Sequence, residues 1–179
     1  IKLDDDGFFR VRFFYNNLNE YNVDPGKEAK KIILNVGPMM DFVDNFPPQL
    51  VYYDEDKITF LEEMNMTFKW HEKATEFLLK EYKPDIYISD IYSTNQMLTS
   101  RWWMGYVDPV SFRYGEVSDG EREMLWAEVK DMYKRLDNIV GRMLDNADKN
   151  TLIVLTSDHG AIPLGKWVRL NNLFAKKGW

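Results

Sequence analysis

Apolar residues along this 179-residue chain fall into two kinds of pattern. In the first kind they recur at helical spacing. Leu61, Met64, Phe68, Ala74, Leu78 and Tyr82 predict one long amphipathic helix over Asp56–Tyr82, which Pro84 ends. Leu125, Val129, Met132, Leu136, Ile139 and Met143 form a second stripe and predict a helix from Ser118 to about Ala147. Ser118 and Glu121 have the spacing of a capping box at its start. In the second kind, apolar residues run together. "DIYIS" (Asp85–Ser89) reads as a short buried strand. "TLIVLT" (Thr151–Thr156), bounded by polar residues, reads as a central parallel strand buried on both faces. The succession helix, strand, helix, strand predicts an α/β fold, with a mostly parallel central sheet flanked by helices and right-handed crossovers.

Residues 1–50 read differently, as a β-rich lead-in or insertion ahead of an α/β part over 51–179. "FFRVRFFYN" (Phe8–Asn16) and "KKIILNV" (Lys30–Val36) read as strands, with Asp24-Pro25-Gly26 as a turn between them and Pro47-Pro48 as a break. Both ends look cut: the chain starts at Ile1 and stops at Trp179, just after "RLNNLFAKKGW" opens a helix. The expectation is a piece of a longer protein.

Composition narrows the chemistry. The apolar fraction of 45% and charged fraction of 29% are those of a globular domain. A net charge of −6 disfavours a nucleic-acid polymer as partner. No apolar run reaches the ~20 residues of a membrane span. Cysteine is absent, which removes disulfides, zinc–thiolate sites and a Cys nucleophile. Histidine occurs only as His71 and His159, so three imidazoles cannot meet on one ion.

Ser157-Asp158-His159-Gly160 follows the apolar run Thr151–Thr156, where ligands bind at strand ends in open α/β sheets. In a loop the Asp158 carboxylate and the His159 imidazole can converge, a donor pair suited to zinc or another borderline divalent ion. The plainer alternative is that Asp158 caps the next segment and His159 is a surface loop residue. His71, mid-helix, reads as structural. Arg101, Lys166 and Arg169 are the cations able to reach a phosphate group, though solvation is their more common state. Trp102 and Trp103 read as packing rather than as a platform for a ring. Leu3–Asp6 reads as an acidic terminus.

The segment "VLTSDHGAIPLGKWVRLNNLFAKKGW" resembles the SDHG region of the alkaline phosphatase superfamily, and more narrowly the type I phosphodiesterase/nucleotide pyrophosphatase family. Pro163-Leu164, Leu170-Asn171, Leu173 and Gly178-Trp179 fit that family's pattern. So do Lys83-Pro84-Asp85, Thr94, Trp102, and Asp108-Pro109 after Tyr106. The resemblance covers about Phe68 to Trp179. It implies hydrolysis of phosphate mono- or diesters of small molecules with two divalent metals, usually zinc, and it makes Asp158 and His159 metal ligands. It also places metal ligands at Asn95 and Thr99. There the family carries Asp and His, and this sequence departs from it. Asp90 is the alternative carboxylate if that alignment slips. No Ser or Thr here stands in the context of the family's nucleophile, so no catalytic residue is assigned. The chain alone is expected to be inactive and to hold at most one ion weakly. The rival reading is a noncatalytic binding domain with a degraded metal site.

Overall fold

The computed structural model of the chain describes residues 2–3, 7, 9–11, 13, 16, 18–19, 21–39, 52–166 and 168–179. Two long helices dominate them. We number the elements β1 (Lys2–Leu3), β2 (Phe9–Arg10), α1 (Glu28–Asn35), α2 (Lys57–Tyr82), α3 (Ser93–Thr99), α4 (Met104–Val107), α5 (Asp119–Asp145) and α6 (Leu170–Lys177). Short 3-10 turns at Asp54–Asp56 and Tyr114–Glu116 lead into α2 and α5.

The helix predictions hold. α2 starts one residue after the expected Asp56 and stops at Tyr82. Lys83 takes the left-handed conformation at φ 44°, its N–H donating to the Leu79 carbonyl, and Pro84 follows. α5 opens on the predicted capping box. The Glu121 N–H donates to the Ser118 hydroxyl, and the Glu121 carboxylate accepts the Ser118 N–H at 2.8 Å. That carboxylate is held below its ordinary pKa by the Ser118 hydroxyl and then by the Ser118 N–H.

The two helices run in the same direction. Lys57 pairs with Glu128, Asn65 with Arg135 and Glu72 with Arg142, so residue numbers rise together along both. Their apolar stripes meet in one core of Phe60, Met64 and Phe68 from α2 with Leu125, Val129, Met132 and Ile139 from α5. The link between them closes the end of this pair where both helices start. Trp102 and Trp103 are buried there. Trp102 Nε1 donates to the Asp54 carbonyl and Trp103 Nε1 to Glu128, each at 2.8 Å. Arg122 clamps the link to α5, donating to the carbonyls of Tyr106, Tyr114 and Val117 with its guanidinium over the Tyr114 ring.

The predicted central sheet is not observed. Among the described residues the only sheet is the antiparallel pair β1–β2, two residues each. Thr151–Thr156 and Asp85–Ser89 form no ladder, and most of their apolar side chains lie open: Leu152 is 85% exposed and Ile88 87%. The physical reason is pairing. An apolar run states a demand for burial, but a strand also needs a neighbour's N–H and C=O groups. Among the described residues no strand is placed beside either run. The α2 and α5 stripes bury against each other instead.

The predicted strand at Lys30–Val36 is also corrected, because it lies largely within helix α1. Ala29, Ile32, Ile33 and Val36 stand at i, i+3, i+4 and i+7, which is helical spacing. Ala29, Ile32 and Val36 are buried, and Ile32 and Val36 pack with Ala74 of α2. The Asp24-Pro25-Gly26 turn starts this helix, since the Glu28 and Ala29 N–H groups donate to the Pro25 and Gly26 carbonyls. Among the described residues of the predicted strand Phe8–Asn16, Phe9–Arg10 is paired, while Phe8, Arg12, Phe14 and Tyr15 lie outside the described residues. The Pro47-Pro48 break and Asp4–Asp6 also lie outside them. Among the described residues no helix is long and apolar enough to cross a membrane.

Candidate functional site

Local hydrogen bonding builds the 157–160 loop. Its approach is set at the end of α5, where the Asp148 carboxylate accepts the Thr151 hydroxyl at 2.8 Å and the Asn150 N–H at 2.9 Å. Those donors hold Asp148 below the ordinary carboxylate value, Thr151 contributing most. The chain then runs without helix or ladder to Ser157. The Ser157 hydroxyl donates to the His159 carbonyl at 2.7 Å, which closes the loop on itself.

The His159 ring is oriented from one side. Its Nδ1 lies 2.9 Å from the Gly160 carbonyl oxygen. A carbonyl only accepts, so Nδ1 carries the hydrogen of this bond. In the neutral ring Nε2 is then left with a lone pair. Nε2 faces Asp158 Oδ1 at 3.7 Å. That exceeds a hydrogen-bond distance, and both atoms are electron donors. Two donors held ~2.0–2.2 Å from one tetrahedral zinc ion lie roughly 3.4 Å apart. The spacing therefore fits one ion shared by Asp158 and His159. A backbone partner on the far ring nitrogen is the usual support of a metal-binding imidazole. Both side chains are open to solvent, 85% and 57% exposed.

Asn95 and Thr99 lie one helical turn apart on α3. Asn95 is half-buried and Thr99 exposed, and the Thr99 hydroxyl donates to the Asn95 backbone carbonyl at 2.7 Å. The structure thus brings Asp158 to His159, and Asn95 to Thr99. Among the described residues no hydrogen bond or ion pair joins one pair to the other, and no three His, Asp or Glu side chains gather as a metal site.

The remaining candidates separate cleanly. His71 is buried in α2 with its ring edge-on to Trp70. Trp102 and Trp103 are core. The Arg101 guanidinium donates to Asp54 at 2.6 Å. Lys166 and Arg169 are exposed, Arg169 at the start of α6. Two contributors were not read from sequence: Ser157, which closes the loop, and the Gly160 carbonyl, which orients the ring. The serine two residues before the histidine was the available signal for the first. The second depends on backbone geometry that no residue type announces.

The family model for type I phosphodiesterase / nucleotide pyrophosphatase matches residues 14–179. Comparison with curated proteins and with solved structures gives no match.

Proposed function

Because this chain belongs to the type I phosphodiesterase / nucleotide pyrophosphatase family, we propose that it serves metal-dependent hydrolysis of phosphate mono- or diesters, with Asp158 and His159 holding a divalent ion. Family membership supplies the substrate class, phosphate esters. The observation that carries the metal role is the Asp158–His159 pair: two donor atoms 3.7 Å apart, with the imidazole oriented through Nδ1. An imidazole nitrogen with a carboxylate oxygen suits zinc. When bound, the ion supplies Lewis-acid stabilisation of charge on a phosphoryl oxygen. This chain's own contribution is to hold it. The Ser157 bond closes the loop, the Gly160 carbonyl fixes the ring, and the Asp158 carboxylate offsets the cation's charge.

Two protein donors are fewer than the three of a catalytic zinc site, so the chain by itself is expected to be inactive. The test is hydrolysis of bis(p-nitrophenyl) phosphate with added zinc by the full-length gene product, beside the same protein carrying His159→Ala. Loss of roughly 100-fold or more in rate is expected from removing a metal ligand. Unchanged turnover in the variant would overturn the assignment.

A second reading is favoured by one observation, the neutral pair Asn95 and Thr99 at positions where a catalytic metal site needs charge or imidazole. In that reading the domain binds phosphate esters without turning them over. Saturable binding of the ester with no hydrolysis by the full-length protein would favour it.

A further inference from the structure

Asn95 and Thr99 have the i, i+4 spacing that puts two side chains on one helical face, and the structure shows how that turn uses its polar atoms. The Thr99 hydroxyl proton goes to the Asn95 backbone carbonyl at 2.7 Å, a bond internal to the helix. The next residue behaves alike, with the Ser100 hydroxyl donating to the Met97 carbonyl at 2.7 Å. The opposite face of α3 is fixed by burial of Ser93, Gln96 and Met97. An amide and a hydroxyl remain to meet a cation, and neither carries charge. Neutral oxygens serve hard ions in sets of six or more, whereas zinc takes imidazole, thiolate or carboxylate. Among the described residues no third His, Asp or Glu joins the turn to make up that deficit.

The 157–160 loop also offers only two side-chain donors among the described residues, but it differs in their charge and type. It has a charged oxygen, an imidazole nitrogen 3.7 Å from that oxygen, and a backbone acceptor on the other ring nitrogen. We infer that, among the described residues, Asp158 and His159 form the one divalent-cation site, and that the Asn95–Thr99 turn is not a second. The first half rests on the function proposed above. The second half rests on the α3 geometry alone.

The test is zinc stoichiometry of the full 179-residue chain by equilibrium dialysis and elemental analysis. Circular dichroism at 222 nm checks that each variant keeps its helices. The expected result is one equivalent for the unaltered chain, one for Asn95→Ala/Thr99→Ala, and none for His159→Ala. Thr99→Val alone, at an exposed position, replaces the double variant if that one unfolds, and it too should retain one equivalent. Asn95→Asp/Thr99→His, which supplies the missing charge and imidazole, should raise the count from one to two. Two equivalents in the unaltered chain, falling to one in Asn95→Ala/Thr99→Ala, would overturn this inference and leave the role of Asp158 and His159 standing. No bound zinc in the unaltered chain would overturn the role of Asp158 and His159 and leave the statement about the Asn95–Thr99 turn standing.

Discussion

Phe60→Ala should be the most damaging single truncation in the core. Phe60 is fully buried, and three aromatic rings enclose it: Tyr52 with centroids 5.2 Å apart, Trp102 at 5.4 Å and Trp103 at 5.5 Å. Truncating a buried Phe to Ala costs about 3–5 kcal/mol, more where neighbours cannot collapse into the cavity. Here Trp102 and Trp103 are tied by their indole N–H groups to the Asp54 carbonyl and to Glu128. They cannot move in without breaking those bonds, so the cost should fall near the top of the range, about 4–5 kcal/mol. Against a domain stability of about 5–15 kcal/mol, that is a large share. The assay is urea denaturation followed by tryptophan fluorescence and by circular dichroism. With a slope of about 2 kcal/mol/M, the midpoint should fall by roughly 2 M. Phe112→Ala, at a ring 73% exposed, should change stability by no more than about 0.5 kcal/mol. A Phe60→Ala loss under about 1.5 kcal/mol, or an equal loss in Phe112→Ala, would refute the picture of a rigid aromatic core at the start of α2 and α5.

Other consequences are equally concrete. Ser118→Ala removes the α5 cap and should cost about 1 kcal/mol in the same denaturation assay, with Ser118→Asp largely preserving stability. The Glu121 carboxylate is depressed by Ser118. Its contribution is therefore present above the ordinary value of 4.5 and fades as pH falls through the lower folded value. NMR titration of Glu121 should show its pKa rising in Ser118→Ala; an unchanged value would contradict the cap. The Thr75 and Tyr87 hydroxyls share a hydrogen bond at 3.0 Å, with Thr75 fully buried. Thr75→Val and Tyr87→Phe should each cost about 1 kcal/mol, and the double variant little more than either alone. Additive losses would mean the bond does not form in solution.

What the sequence disclosed follows from which forces are local. α2 and α5 were legible because each repeats its apolar residues over many turns, and because Ser118, Glu121 and Pro84 act within a few residues of themselves. α1 was misread through its run "IIL": Ile33 and Leu34 look continuous, yet only Ala29, Ile32 and Val36 are buried, and their spacing is helical. The runs Asp85–Ser89 and Thr151–Thr156 misled for a different reason. Their composition asks for burial on both faces, but pairing is a property of two segments and no residue in the run encodes its neighbour. At the candidate site, Asp158 and His159 were read as a donor pair from residue type, from their place after an apolar run and from the family resemblance. The orientation of the imidazole was not, since it comes from a backbone carbonyl. The identity of Asn95 and Thr99 already showed the loss of charge on that turn, while the bond that occupies the Thr99 hydroxyl needed coordinates.

In the proposed site His159 presents Nε2 to a metal while the Gly160 carbonyl retains Nδ1. Nitrogen-15 NMR of the imidazole rings tests this directly. The chain has only two histidines, and a His71→Gln variant assigns their signals. In the neutral ring, His159 should carry its hydrogen on Nδ1. Added zinc should shift its Nε2 resonance, leave Nδ1 protonated, and leave buried His71 unmoved. Zinc that leaves His159 unchanged, or that binds through Nδ1 and so breaks the Gly160 bond, would contradict the account.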